Sequence, residues 1–264
     1  MKIRDYIYDK LANIHNRRIE YRDFCALPNV RIAVFQHYPC VLPDVFQDRR
    51  IYLPLQCGAG IADRIEGCLY DDKAMNISLF NPYVNEMTGI YWIGKNYEEL
   101  GNPDYIGIDH YRRFLQWSPE LLAEDTIIAT SNVFVKSIGY SMCFHLPKEI
   151  RNYFLEKILG SMRESEKRAF TQYLNSHTMY CYNMFIMSRK LFKEYFAFME
   201  RYISLCVDLV NRNELGIREF NCANKRVLGF LLEHISSFWI VTMKNRKELK
   251  VVTTNVDFFN IQKR

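Results

Sequence analysis

No two cysteines in this chain are spaced as CxxC, and no cysteine stands at zinc-ligand spacing from a histidine. The eight cysteines, at 25, 40, 57, 68, 143, 181, 206 and 222, fall mostly within apolar segments such as "YISLCVDLV" around Cys206. That usage excludes a zinc-finger-like module and favours buried, reduced thiols over a disulfide framework. GxGxxG and GxxxxGK[ST] are both absent, which argues against dinucleotide and Walker-type phosphate loops. So are GxSxG and HExxH, the signatures of a nucleophile elbow and of a zinc protease helix. No run of five or six like charges occurs and the formal net charge is +5, so no basic stripe for nucleic acid is present. That modest excess suits an anionic small ligand or a loose contact with an acidic membrane surface. No apolar run approaches the ~20 residues that span a bilayer, and charges interrupt residues 1–21 throughout, so no signal peptide is read. The expectation is a soluble or peripheral protein.

What is present is ordinary globular material: 49% apolar residues, 25% charged, and 264 residues, enough for one large α/β domain or two small ones. The 18 Tyr and 18 Phe are mostly for packing, with some free to line a groove for a polar, ring-shaped ligand. Ile3, Tyr6, Ile7, Leu11 and Ile14 recur at helical spacing, which predicts an amphipathic helix within an N-terminal extension, residues 1–30. The segments 30–39, 49–58, 105–108, 125–133 and 179–188 read as strands. Pro82 opens a predicted helix over 82–100, with Glu86, Ile90 and Ile93 on one face and Thr88, Tyr91, Trp92 and Lys95 on another. Further helices are expected over 148–174 (broken near Gly160), 189–211 and 224–242. Without repeats or linkers, 31–264 reads as one domain: an α/β fold, its central sheet mainly parallel, with helices on both faces. Such sheets bind ligands outside the carboxyl ends of their strands.

That edge gives meaning to "DYIGIDHYRRFL", residues 104–115, where a buried strand runs into an acid, an imidazole, a phenol and two guanidiniums. Asp109 has the chemistry to ligate a divalent metal bridging phosphate oxygens. Arg112 and Arg113 have the chemistry to grip those oxygens directly. An Asp–Arg pair that merely caps the strand is the plain alternative. In "YCYNMFIMS" Asn183 is the one strongly polar side chain; an unpartnered buried amide costs about 1–3 kcal/mol, so it is paired or faces a cavity. Arg226, Gly229, Phe230 and Glu233 share a helix face. The Glu233 carboxylate there suits a general base or a sugar hydroxyl, with a buried ion pair as its plain alternative. His37 ends the first strand, suited to a nucleotide contact or to a turn. The loop 71–82 carries Asp71, Asp72, Asn76, Ser78 and Asn81, as a ribose or carbohydrate site would, and as loops commonly do.

Taken in order, "RIAVFQHYP", "IYLPLQCGAGIA", "DDKAMNISLFNPYVNEMTGIYWIGKN", "DYIGIDHYRRFL", "YNMFIMSRKLFKEYFAFM" and "RVLGFLLEHISSFWI" resemble the bacterial family called domain of unknown function 4422, from about Arg31 to Ile240. That family occurs in capsular, exopolysaccharide and O-antigen synthesis and is regarded as glycosyltransferase-like. The resemblance implies a GT-A-like fold, a nucleotide-sugar donor and an oligosaccharide or lipid-linked glycan acceptor. It implies a cytoplasmic setting, with or without peripheral membrane contact, and hexosyl transfer, galactofuranose being one choice. Carried over by position are His37, Asn76, Asn81, Glu86, Thr88, Tyr91, Trp92, Lys95, His110, Tyr111, Arg112, Arg113, Asn183, Arg226, Gly229 and Glu233. The family's histidine-containing segment after the central strand survives here only as His145 in "YSMCFH". A looser likeness to glycogenin-like transferases sets "IDHYRR" at their metal-binding Asp-x-Asp, with Tyr111 in place of the second acid. Either Mn²⁺ or Mg²⁺ on Asp109 is expected, or the two arginines in a metal's place. The expected roles are nucleotide contact by His37 and the 71–81 loop, and diphosphate binding by Asp109, His110, Arg112 and Arg113. Asn183 and Glu86 orient the sugars, and Glu233 is the expected catalytic carboxylate, with Asp109 as the second catalytic candidate. A non-catalytic sugar-binding subunit of an assembly system is the alternative.

Overall fold

The computed structural model describes residues 29–142 and 146–259. The expected N-terminal helix and His145 lie outside the described residues. Nine strands are described: β1 (Val30–Gln36), β2 (Tyr52–Gln56), β3 (Leu69–Tyr70), β4 (Tyr105–His110), β5 (Arg113–Leu115), β6 (Thr126–Val133), β7 (Thr178–Ser188), β8 (Lys250–Thr253) and β9 (Val256–Phe258). The α-helices are α1 (Asn81–Val84), α2 (Met87–Lys95), α3 (Ile138–Ser141), α4 (Lys148–Ser161), α5 (Glu164–Asn175), α6 (Arg189–Asn211), α7 (Cys222–Lys225) and α8 (Val227–Lys244).

The sheet runs β3-β2-β1-β4-β7-β6-β8. β1 lies between parallel neighbours on both sides, with Ile32 opposite Tyr52 on one and Gly107 on the other. Its near-continuous apolar sequence follows from burial on both faces. β7 is as central as its run "YCYNMFIMS" requires, but it is antiparallel to both β4 and β6. The excursion through α3–α5 leaves and re-enters the sheet at the same end: Phe134 N–H donates to the His177 carbonyl and Ile138 N–H to that of Ser176. The chain therefore turns back along β6 instead of crossing over. Six of the seven strands on this path are mutually parallel, so the mainly parallel α/β sheet holds, with one reversed strand in its middle.

Alternation along the strands separates two cores. Ala33, Phe35, Ile106, Ile108, Phe185 and Met187 face a large cluster that takes in residues from α2, α4, α5, α6 and α8. Ile32, Val34, Met184 and Ile186 face a smaller one with Phe46, Tyr52, Tyr111, Phe114 and Trp117. Among the described residues no α-helix covers this second face. It is closed by the 3-10 turn Asp44–Phe46 and by β5, which doubles back from β4 and pairs with β9; the Phe46 ring stacks on Phe114 at 3.7 Å. Among the described residues the α-helices thus gather on the face of the larger cluster. The β1–β2 and β4–β6 connections carry 3-10 turns, Asp44–Phe46 and Pro119–Leu121, and the short strand β5 in place of an α-helix.

α6 buries Leu191, Tyr195, Met199, Tyr202, Cys206 and Leu209 along one stripe, as its periodicity requires. The stretch Cys222–Lys244 is long and apolar enough to cross a membrane by composition, yet 67% of its most apolar window is buried within the fold. It serves here as a core helix. The helix expected over 82–100 is broken: α1 ends at Asn85, whose φ of 54° no helix accommodates, and α2 starts two residues later.

Candidate functional site

His37 follows β1 and His110 ends β4, so the parallel pair delivers both imidazoles to the carboxyl edge of the sheet. β7 passes antiparallel beside β4 and bends there. Tyr182 and Asn183 have φ of 67° and 53°, and the β6–β7 register shifts between Ala129 and Ser131. Two consecutive side-chain-bearing residues in left-handed backbone cost about 1–3 kcal/mol each, and the kink takes their amides out of the ladder. Site side chains take up the freed groups. Tyr182 N–H donates to Glu233 Oε1 at 2.6 Å, and the Tyr182 carbonyl accepts from His110 Nε2 at 2.7 Å. That second bond fixes the proton on Nε2 and leaves Nδ1 as an acceptor. Asn183 Nδ2 donates to Glu86 Oε1 at 2.7 Å.

Glu86 is placed by the break between α1 and α2. Asn81 Nδ2 donates to the Asn85 carbonyl at 2.9 Å and to Thr88 Oγ1 at 3.1 Å, holding the Asn85 turn. Asn85 Oδ1 in turn accepts from Arg226 Nε at 2.8 Å, at the start of α8. α8 comes this close because residue 229 is glycine: a Cβ there would lie 2.2 Å from Asn85 Nδ2. Glu233 follows one turn further along α8 and points to the β7 kink. Five segments thus converge: the ends of β1 and β4, the α1–α2 break, the kink in β7 and the first two turns of α8.

The electrostatics follow from enclosure. Burial, and then the neighbouring Glu86, push the Glu233 carboxyl up from 4.5 to about 7; the Tyr182 N–H, Arg113 and Arg226 oppose the rise. Burial lowers His110 to about 4, against the pull of Glu86 and with the help of Arg113. His37 is lowered too, by desolvation first, although its side chain is open to solvent, as for a group on the floor of a concavity. At neutral pH the site therefore holds neutral imidazoles, a part-protonated carboxyl and two guanidiniums. Arg113 lies with its guanidinium 4.4 Å over the Tyr182 ring, and its buried Nε has no hydrogen-bond partner. Asn183 Oδ1 is likewise buried and unpartnered. A second groove, lined by Asp104, Tyr105, Ser188 and Arg189, opens at the opposite end of β4 and carries a paired Arg189–Asp104 bridge.

Seven of the expected residues therefore meet: His37, Glu86, His110, Arg113, Asn183, Arg226 and Glu233. The others do not join them. Asp109 is fully buried; alternation sends it, with Gly107 and Tyr111, to the face opposite His110. Its Oδ1 accepts from Leu115 N–H at 3.1 Å, and burial raises its pKa well above the usual carboxylate range. Asp109 fastens the β4–β5 turn through that Oδ1, and its Oδ2 is buried without a hydrogen-bond partner. Arg112 is exposed, its guanidinium 5.0 Å over the Tyr111 ring. Asn76 closes its own loop, donating to the Asp72 and Ala74 carbonyls and accepting from Ser78 N–H. Asn81 acts on the site only through Asn85. Tyr91 and Lys95 face α6, Tyr91 edge-on to Phe196 and Lys95 paired with Glu200.

A GT-A-like fold implies a divalent metal at the Asp-x-Asp place, and these residues do not fit one. Asp109 points away from the site, and Tyr111, edge-on to His37 with ring centroids 6.3 Å apart, spends its hydroxyl on that of Tyr38 at 2.5 Å. Among the described residues no three His, Cys, Asp or Glu side chains are grouped to hold a metal ion.

The model of the family described as domain of unknown function (DUF4422) matches residues 31–246. The chain belongs to the DUF4422 family. No curated protein matches it. Among solved structures, this DUF4422 chain is similar to the apo structure of a bifunctional glycosyltransferase, WbbM, at 23% identity and a TM-score of 0.71, over 88% of this chain and 45% of that one. It thus spans less than half of that protein's length, and the likeness is one of fold.

Two residues of the DUF4422 site were not singled out from its sequence. Asn85 carried a usable signal, since asparagine is among the few residues that tolerate positive φ and it interrupts an apolar helical pattern. Tyr182 carried none, because tyrosine is an ordinary strand residue.

Proposed function

We propose that this chain is a glycosyltransferase that moves a hexosyl group from a nucleotide-diphosphate sugar to a growing bacterial surface glycan, with residues 31–264 acting as one catalytic unit. The observation that carries the reading is the convergence of His37, Glu86, His110, Arg113, Asn183, Arg226 and Glu233 at the carboxyl edge of a GT-A-like sheet. Sugar transfer needs three things at such an edge: cations for the leaving nucleoside diphosphate, polar groups that fix sugar hydroxyls, and a proton acceptor for the attacking hydroxyl. Arg113 and Arg226 are the cations. Asn183 Oδ1, buried and unpartnered, is an acceptor aimed at a sugar hydroxyl, and Glu86, held by the Asn183 amide, is a second. Glu233 takes the proton; a carboxyl poised near neutrality is suited to that transfer. Its Oε1 is engaged by Tyr182 N–H, which leaves Oε2 for the acceptor. His37 borders the nucleotide. Because sugar nucleotides are cytosolic metabolites, the reading carries with it a cytoplasmic site of action and an acceptor that is an oligosaccharide or a lipid-linked glycan.

The test is product detection across a panel of sugar nucleotides, furanose forms included, with oligosaccharide and lipid-linked acceptors. One donor is expected to be consumed with transfer to an acceptor. A protein that folds, yet neither binds nor consumes any donor in the panel, overturns the reading.

A further inference from the structure

We infer that the pyrophosphate of the donor is neutralised by the side chains of Arg113 and Arg226 and not by a divalent metal ion, an inference that rests on the glycosyltransferase reading above. Two guanidiniums supply the two positive charges that such an ion would bring. Neither lies within ion-pair distance of a carboxylate among the described residues. A half-buried cation such as Arg113, left without a counter-ion, is costly unless a ligand supplies the charge; Arg226 is exposed and bears less of that cost. Arg113 is the stronger case. β5 begins at it, opposite His110, so it is anchored at the sheet edge, with its guanidinium over the Tyr182 ring and an Nε that has no protein partner. Arg226 is committed through Nε to Asn85, which orients the fork and leaves its terminal nitrogens for an anion.

The acids near these arginines are poorly suited to replace them with a metal. Glu86 holds the Asn183 amide and Glu233 the Tyr182 N–H. The acid in the Asp-x-Asp place, Asp109, is sealed on the opposite face of the strand. A dication set beside two guanidiniums would also be repelled by both.

The experiment is calorimetric titration of a panel of nucleoside diphosphates into the full chain, once in EDTA and once in MnCl₂, repeated for Arg113→Met, Arg226→Gln and Asp109→Asn. One nucleotide should bind with the same Kd, within about twofold, in both buffers. Each arginine variant should weaken it about tenfold or more, in line with loss of a charge-assisted contact to phosphate. Asp109→Asn should bind as the parent does. Arg226→Gln, at an exposed position, guards against the chance that Arg113→Met fails to fold, and thermal melts report folding in each case. Binding that appears only with Mn²⁺, or that is abolished by Asp109→Asn in a folded protein, overturns the inference and leaves the transferase standing. Absence of nucleotide binding in both buffers overturns the transferase reading itself.

Discussion

Replacing Glu233 with glutamine should make the protein more stable above neutral pH and destroy its activity. The fold raises this carboxyl from 4.5 to about 7, and each tenfold change in acidity corresponds to about 1.4 kcal/mol. The sign follows from proton counting. Between pH 4.5 and 7 the folded state holds a proton that the unfolded chain has lost, so stability falls as pH rises through this window. Below it both states are protonated and the penalty vanishes. Above it the penalty is complete, at about 3 kcal/mol. Glutamine keeps an oxygen for the Tyr182 N–H but adds an amide that must find a partner beside Glu86, which returns part of the gain. Glu233→Gln is therefore expected to be about 1–3 kcal/mol more stable at pH 8 and, with the amide cost alone remaining, about 0–2 kcal/mol less stable than the parent near pH 4.5.

Thermal melts from pH 4.5 to 8.5 measure this, at about 2–4 °C per kcal/mol for a chain of this size. Taking the difference between variant and parent cancels the titration of groups that do not face this carboxyl. Transfer should fall about 10²–10⁴-fold if the carboxylate moves the proton. A stability difference that stays flat across the pH range would refute the reasoning, because it would mean that the carboxyl titrates alike in folded and unfolded chains.

Three further outcomes are expected. Gly229→Ala gains about 1 kcal/mol of helix propensity but drives a methyl group to 2.2 Å from Asn85 Nδ2; nucleotide affinity should drop about tenfold as Arg226 loses its anchor, and unchanged binding with a raised melting temperature would show that α8 does not meet Asn85. His110, lowered to about 4 with its proton on Nε2, should stay neutral in nitrogen-detected NMR down to pH 5; a midpoint near 6.5 would contradict its enclosure. Asn183→Gly removes left-handed strain worth about 1 kcal/mol together with the Glu86 contact, so the melting temperature should barely move while donor KM rises.

The contrast between Asp109 and His110 marks what could be read from the sequence. Period-two alternation already forbids neighbouring strand residues from sharing a face, so once Ile106 and Ile108 are given to the helical core, His110 goes with them and Asp109 cannot. Reading "DHYRR" as one anion cradle ignored that constraint. The elements themselves were legible where burial dictates pattern: β1, β4, β7, α6 and α8 all stand where apolar runs and stripes placed them. Strand direction was not, because a strand buried on both faces has the same composition whichever way it runs. The polar loop misled for another reason. Asp71 accepts from Gly58 N–H, Ala59 N–H and Ser78 Oγ, so its charge is spent on loop backbone and not on a ligand.

The kink at Tyr182–Asn183 ties these points together. A regular β7 would pair its amides with β6 and leave buried His110 and half-buried Glu233 without their backbone partners, at about 1–3 kcal/mol for the buried group and less for the other. Bending the strand exchanges ladder bonds for bonds from the Tyr182 backbone to His110 and Glu233, and the Asn183 side chain meets Glu86 beside them. The strain of two left-handed residues is thus offset by the bonds to these side chains. That exchange predicts that Tyr182→Pro, which forbids positive φ and removes the N–H held by Glu233, should cost more than 3 kcal/mol and unfold the sheet edge as a unit. In hydrogen exchange the amides of β7 and those of the first turns of α8 should lose protection together. Loss confined to β7, with α8 still protected, would show that the kink is local and that the site is held by α8 alone.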